Sequence, residues 1–168
     1  MISVFKKAAS ALSAVFAVTA TFAIVSCTSF TITPPSDFAV YQQSGFLSLP
    51  FGQSNEIKAI TADGVRFRVS EVKNEPVGND LLWQKTVVKG LERKGYHIIA
   101  TSTVRTDEGR TLQLIDSQIS TGGEDYSYLT AFLVDGSRII LIEVAGVKEL
   151  MQLRNSGLRN SLKSLIVK

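Results

Sequence analysis

The stretch YHIIATSTVRTDEGRTLQLIDSQISTGGEDYSYLTAFLVDGSRIILIEVA, residues 96–145, decides the fold of this chain. It holds four strand-like segments, which are Tyr96 to Arg105, Arg110 to Ile119, Tyr126 to Val134 and Arg138 to Ala145. Short turn-forming links join them, namely Asp107-Glu108-Gly109, Thr121-Gly122-Gly123-Glu124 and Asp135-Gly136. Because links this short connect antiparallel neighbours, the stretch predicts a four-stranded meander. Ile139 to Val144 is nearly continuously apolar, which is typical of a central strand covered on both faces.

Two further strands are predicted upstream of the meander. Glu56 to Thr61 and Val65 to Val72 are joined by Ala62-Asp63-Gly64, and Asp-Gly tolerates the positive φ of a tight hairpin. In the second strand apolar residues alternate with Arg66 and Arg68, so we interpret the arginines as a solvated sheet face. Weak alternation at Phe38, Val40 and Tyr41 indicates a first edge strand or a docking segment. Phe46, Leu47, Leu49 and Phe51 are expected to pack on the domain.

Two helices complete the pattern. The first begins at Gly78-Asn79-Asp80, where a side chain can accept a backbone N–H, and ends near Lys94, before Gly95. The last runs from about Lys148 to Lys163, with a stripe formed by Leu150, Leu153, Leu158, Leu162 and Leu165. Elements grouped in this order predict an α+β fold, a mostly antiparallel sheet of about six strands with two helices packed on it. Residues 38–168 are expected to form one domain.

From about Val65 to Val167 the chain resembles the PsbP-like family, named after an extrinsic photosystem subunit. The matching features are Leu81-Leu82-Trp83 at a helix start, Gly95-Tyr96 after that helix, and paired strands over Tyr126 to Gly146 before a final helix. Before Val65 the family signature is missing. The resemblance implies an antiparallel sheet with helices and an accessory role, and it brings no catalytic residues with it.

The first 27 residues have the order of parts found in an export signal. Lys6 and Lys7 precede an uncharged run from Ala8 to Ser26, which ends at Cys27, the only cysteine. Ile24-Val25-Ser26-Cys27 resembles the lipobox of bacterial lipoproteins. The resemblance implies that residues 1–26 are a signal peptide, that Cys27 is lipidated, and that residues 27–37, with Pro34-Pro35, form a flexible tether. An uncleaved membrane helix and an ordinary signal peptide that leaves a free thiol are the alternatives.

Lipid on Cys27 would be enough to hold the protein on a membrane. Each buried methylene contributes roughly 0.8 kcal/mol, and two or more acyl chains anchor firmly. In the lipoprotein family the residue after the cysteine helps to select the membrane. Thr28 is not the aspartate of inner-membrane retention, so we expect the outer membrane, facing the periplasm, or the cell membrane if the host has only one.

Composition argues against nucleic acid as a partner. Of the 18 lysines and arginines, Lys6 and Lys7 lie in the leader, so 16 remain beside 15 acidic residues, and no basic run exists. His97 is the only histidine, which makes a zinc site or a general base improbable. Gly122-Gly123 lacks the lysine and following helix of a phosphate loop.

Two groups of side chains are candidate binding sites. We interpret the acidic group as solvated turn residues and the aromatic group as part of the core. Asp107, Glu108, Glu124 and Asp125 would bind calcium only if their loops met at one end of the sheet, and they lack the spacing of a calcium loop. Trp83, Tyr96, Tyr126 and Tyr128 would line an apolar pocket, although aromatic residues at such positions usually belong to the core.

We therefore expect no catalytic residues, no metal and no cofactor. The sequence favours a lipid-anchored envelope protein that acts as a non-catalytic interaction or assembly module with an envelope protein partner. One alternative is a small-ligand binder that uses a concave sheet face or the gap between sheet and helices. A hydrolase-type enzyme is the other alternative.

Overall fold

The computed structural model describes residues 29–41 and 56–168. The predicted signal peptide, the lipidation of Cys27 and the packing of residues 46–51 lie outside the described residues. The elements are β1 (Phe30–Thr31), β2 (Ala39–Tyr41), β3 (Glu56–Ile60), β4 (Arg66–Lys73), α1 (Asp80–Arg93), β5 (His97–Arg105), β6 (Thr111–Thr121), β7 (Glu124–Asp135), β8 (Arg138–Val147), α2 (Lys148–Leu153), α3 (Asn155–Lys163) and β9 (Ile166–Val167).

Strands β2 to β8 form one antiparallel sheet in the order β2-β3-β4-β8-β7-β6-β5. The predicted meander forms the β8-β7-β6-β5 part of this sheet. The predicted hairpin is β3-β4, with Gly64 at φ +92° in the turn. β8 lies between β7 and β4, and its alternate side chains enter the hydrophobic layers on the two faces of the sheet, which explains its nearly continuous apolar run. The α+β class is confirmed, with seven strands in this sheet rather than about six.

The sheet has a hydrophobic layer on each face. On one face, called here the α1 face, Leu91 of α1 packs with Ile115, Phe132 and Ile139. On the other, the helix-pair face, α2 and α3 bury a larger cluster that includes Phe67 and Leu162. Strand residues of alternating parity supply the two layers, as the two-residue repeat of a strand requires.

The last predicted helix is in fact two. Helices α2 and α3 are separated at Arg154. The Arg154 guanidinium donates from Nε to Asp37 at 2.6 Å and from Nη2 to Asp63 at 2.8 Å. The break buries Met151 and Leu158 on the sheet and leaves Leu153 78% exposed, so the predicted leucine stripe is wrong at that position. Asp37 and Asp63 are far from Arg154 in sequence, so helical periodicity could not predict these ion pairs.

The prediction of a flexible tether is wrong for residues 29–37. Phe30 is 1% exposed and Ile32 is 9% exposed, both within the core of the helix-pair face. β1 pairs with β9 near the chain's end, with Phe30 opposite Val167. The backbone N–H of Lys168 donates to the carbonyl of Ser29 at 2.8 Å. The two apolar side chains cover sheet surface that would otherwise meet water, which offsets the entropy of ordering a proline-containing segment.

Candidate functional site

A cavity of about 220 Å³ lies on the helix-pair face, between the β5-β6-β7 strands and the α2–α3 pair. Its walls combine apolar side chains, side-chain amides and two opposite charges. The lining residues are Ile99, Asp116, Ser117, Gln118, Ser127, Tyr128, Leu129, Met151, Gln152, Asn155, Leu158 and Arg159.

Strand alternation carries Asp116 to this cavity. On β6, Leu112 and Leu114 belong to the core of the helix-pair face, and Asp116 is the next residue of the same parity. It stands opposite Leu129 of β7 in the register. On β5 the register shifts between Ile98 and Ala100, and this bulge leaves Ile99 57% exposed at the cavity. A carboxylate thus occupies a position that the strand pattern assigns to an apolar side chain.

Burial raises the pKa of the half-buried Asp116 carboxyl, and the Arg159 guanidinium only partly opposes this shift. Among the described residues, none donates a hydrogen bond to the Asp116 side chain, and no ion pair within 4 Å joins it to Arg159. Arg159 instead donates from Nε to Asn155 Oδ1 at 3.1 Å. The carboxylate therefore faces the cavity with its acceptor capacity unused by this part of the chain.

The α1 face carries a different polar group, a connected row of charged side chains. Lys58 and Arg68 both contact the Glu56 carboxylate, at 2.9 and 2.5 Å, and Arg68 also reaches Glu143 at 3.3 Å. The Tyr128 hydroxyl donates to Glu143.

Each titration shift in this row has a local cause. Burial, followed by the bond to Glu143, raises the pKa of Tyr128 well above its ordinary value. Burial alone would raise the pKa of Glu56, yet the hydrogen bonds from Lys58 and Arg68 lower it overall. The charged side chains of this row pair with one another, so we interpret the row as a structural network on an accessible surface.

The remaining sequence candidates are dispersed. His97 is exposed on the edge strand β5, and within the described ranges its side chain makes no hydrogen bond or ion pair. Asp107 and Glu108 follow β5, whereas Glu124 and Asp125 begin β7, at the opposite end of the 11-residue strand β6. At about 3.4 Å per residue the two loops lie roughly 35 Å apart, so they do not meet. In residues 29–41 and 56–168 no three His, Cys, Asp or Glu side chains cluster as metal ligands.

Three of the four aromatic residues, Trp83, Tyr96 and Tyr128, pack in the α1-face core, and the four do not line one pocket. The rings of Tyr96 and Tyr128 lie 5.5 Å apart within the α1-face cluster, and Trp83 packs against the same cluster. Trp83 Nε1 donates to Asn74 Oδ1 at 2.7 Å. Tyr126 donates from its hydroxyl to Glu124 at 3.0 Å, at the exposed end of the strand. Only Tyr128 also contributes to the cavity lining.

Sequence reasoning missed Asp116 and Arg159. The signal for Asp116 was present, because Leu112, Leu114 and Asp116 share one strand face and the third breaks the apolar series. Arg159 carried no such signal, since a charged residue on a terminal helix is ordinary.

No family model matches this chain, and no curated protein matches it. Solved structures do share its fold. PA94 of Pseudomonas aeruginosa, a protein of unknown function, is 13% identical with a TM-score of 0.58, over 78% of this chain and 97% of that one. The cyanobacterial PsbP protein CyanoP from Synechocystis sp. PCC 6803 is 10% identical with a TM-score of 0.58, over 84% and 88%. LpqN, involved in cell envelope biogenesis of Mycobacterium tuberculosis, is 10% identical with a TM-score of 0.59, over 83% of each chain.

At these identities the likeness shows the fold alone. The similarity to CyanoP confirms the PsbP-like resemblance at the level of the fold, while the lipobox lies outside the described residues. The same fold occurs in LpqN, a protein involved in cell envelope biogenesis. No helix within the described residues has the length and apolar character needed to cross a bilayer.

Proposed function

We propose that this chain is a lipid-anchored envelope protein whose domain is a non-catalytic interaction module, held directly at the membrane surface by acylated Cys27. The observation that carries the proposal is the short distance between the lipobox cysteine and the folded domain. Three residues after Cys27, Phe30 is already buried in the core. Three extended residues span at most about 11 Å, so lipid on Cys27 would hold the domain against the headgroups.

This attachment defines which end of the domain would face the membrane. Ser29 donates from Oγ to Glu71 at the end of β4, and Arg138 at the start of β8 donates to the carbonyl of Lys168. Ser29 therefore lies at the end of the sheet that holds the turns after β5 and β7, so a lipid on Cys27 would lie near that end. The far end carries the Thr121–Glu124 turn. Since β7 has 12 residues, the two ends are separated by roughly 40 Å at 3.4 Å per residue.

Confinement is the proposed mechanism. A domain restricted to a layer next to the bilayer meets membrane-bound partners at a raised effective concentration, which allows weak contacts to act. We propose an envelope protein as the partner. Its contact region would be the membrane-distal end of the domain, because the other end would face the bilayer. Thr28 after the cysteine favours the outer membrane, facing the periplasm. The envelope role of LpqN, which shares the fold, supports this assignment.

The anchor is tested first. Mass spectrometry of the N-terminal peptide should find a chain that begins at Cys27 and carries diacylglycerol. Cys27→Ser should move the protein from the membrane to the aqueous fraction, whereas Ser26→Ala, which keeps a small residue, should leave it on the membrane. An unprocessed Met1 start, or an unmodified thiol, would overturn the proposal.

The orientation is tested separately on the lipidated full chain in proteoliposomes that contain a headgroup-linked quencher. A fluorophore on Glu108→Cys, in the turn after β5, should be quenched strongly. The same fluorophore on Thr121→Cys, at the far end, should retain most of its emission. Equal quenching at both positions would refute direct attachment of the domain, even if the lipid itself is found.

A further inference from the structure

Two opposite charges line the cavity of the helix-pair face without neutralising each other. Asp116 on β6 and Arg159 on α3 both contribute to its walls. No ion pair within 4 Å links them, and the side chain of Asp116 accepts no hydrogen bond from residues 29–41 or 56–168. Arg159 uses Nε for Asn155, and its Nη groups make no bond within the same ranges. Both charges thus retain hydrogen-bonding capacity toward the cavity.

The rest of the lining suits a small organic molecule. Leu129, Met151 and Leu158 are buried apolar residues, and Ile99 adds an exposed apolar side chain at the cavity. The volume of about 220 Å³ corresponds to roughly seven water molecules at about 30 Å³ each. This space fits a compact molecule with one apolar branch.

We propose that this cavity binds a free zwitterionic amino acid with an apolar side chain. Its ammonium would contact the Asp116 carboxylate, its carboxylate would contact the Arg159 guanidinium, and its side chain would lie among the apolar residues of the walls. A ligand with a carboxylate alone would leave the half-buried Asp116 without a partner, which costs free energy, and a ligand with an ammonium alone would make no bond to the exposed Arg159. A zwitterion satisfies both, and guanidinium is well shaped for a carboxylate. The inference stands independently of the lipid anchor.

The test is calorimetric titration of the purified full chain with L-leucine and with two analogues that each lack one charge. Isoamylamine keeps the ammonium and the branched side chain, and 4-methylpentanoate keeps the carboxylate and the branch. L-leucine should bind at least about tenfold more tightly than either analogue, because each analogue lacks one charged group and the hydrogen bond that it would make.

Charge-removing variants assign the two contacts. Asp116→Asn should weaken the binding of L-leucine and isoamylamine but not that of 4-methylpentanoate, and Arg159→Gln should weaken L-leucine and 4-methylpentanoate but not isoamylamine. Asp107→Asn and Arg93→Gln, matched changes on exposed residues away from the cavity, should leave every affinity unchanged. Circular dichroism checks folding, and the exposed Arg159 variant keeps the test valid if the Asp116 variant misfolds.

Three outcomes would overturn the proposal. The first is the absence of saturable heat with L-leucine at millimolar concentration. The second is an analogue that binds as tightly as L-leucine. The third is a pair of cavity variants that behave like the two surface controls.

Discussion

Replacing Phe30 with alanine tests whether the segment before β2 belongs to the domain. Phe30 is 1% exposed and pairs across β1-β9 with Val167. Truncation of a buried phenylalanine usually costs 3–5 kcal/mol, through lost transfer free energy and the cavity left behind. The β1-β9 ladder has only two residue pairs, so the site can partly collapse, and we expect the lower end of that range. The free energy of unfolding should therefore fall by about 3 kcal/mol.

Urea unfolding followed by the fluorescence of Trp83, the only tryptophan, measures this loss. A decrease of about 3 kcal/mol corresponds to a fall in Tm of roughly 10 °C for a domain of this size. Val77→Ala is the control, because Val77 is 83% exposed and its truncation should change stability by less than about 0.5 kcal/mol. If Phe30→Ala costs no more than the control, the segment is a tether after all and the reasoning on direct attachment fails.

Three further substitutions test separate parts of the structure. Asn74→Ala should cost about 2 kcal/mol and shift the Trp83 emission in a urea titration, because it leaves the partly buried Trp83 Nε1 and the Gly78 N–H without their shared acceptor. Asn79→Ala should cost about 1 kcal/mol in thermal unfolding, because Asn79 Oδ1 accepts the Leu82 N–H at 3.0 Å as the N-cap of α1; no change would mean that the cap is not formed. Asp116→Asn should stabilise the ligand-free protein at neutral pH. The folded-state pKa of Asp116 lies above its ordinary value of 3.8, so charge on the carboxyl destabilises the fold, and the advantage of asparagine should disappear as the pH falls below 3.8 in a series of unfolding curves. An advantage that is independent of pH would contradict the burial of this carboxyl.

Helix α1 and the meander were predictable because their signals are local. A side chain at Asn79 or Asp80 was expected to cap α1, and in the structure Asn79 accepts the hydrogen bond from the Leu82 N–H. The four meander strands lie where alternation and turn residues predicted them, and no boundary is shifted by more than two residues. Capping and tight turns depend only on residues a few positions apart, so a single sequence contains the information needed.

The helix break at Arg154 and the cavity were not predictable in the same way. Arg154 separates the two last helices, and its ion-pair partners Asp37 and Asp63 lie just before β2 and just after β3, far away in sequence. Asp116 stood out only as a polar residue in an apolar series. Nothing local indicated that α3 would bring Arg159 to the same cavity.

The sequence by itself determined the class of fold, the antiparallel meander, the first helix and the expectation of a lipid anchor at Cys27. The tertiary structure alone decided that β4 lies beside β8, that Phe30 pairs with Val167 near the chain's end, and that Asp116 and Arg159 line one cavity. The physical reason is the range of the interactions. Periodicity, caps and turns act between near neighbours, whereas strand order and cavities follow from which apolar surfaces the whole chain can bury together.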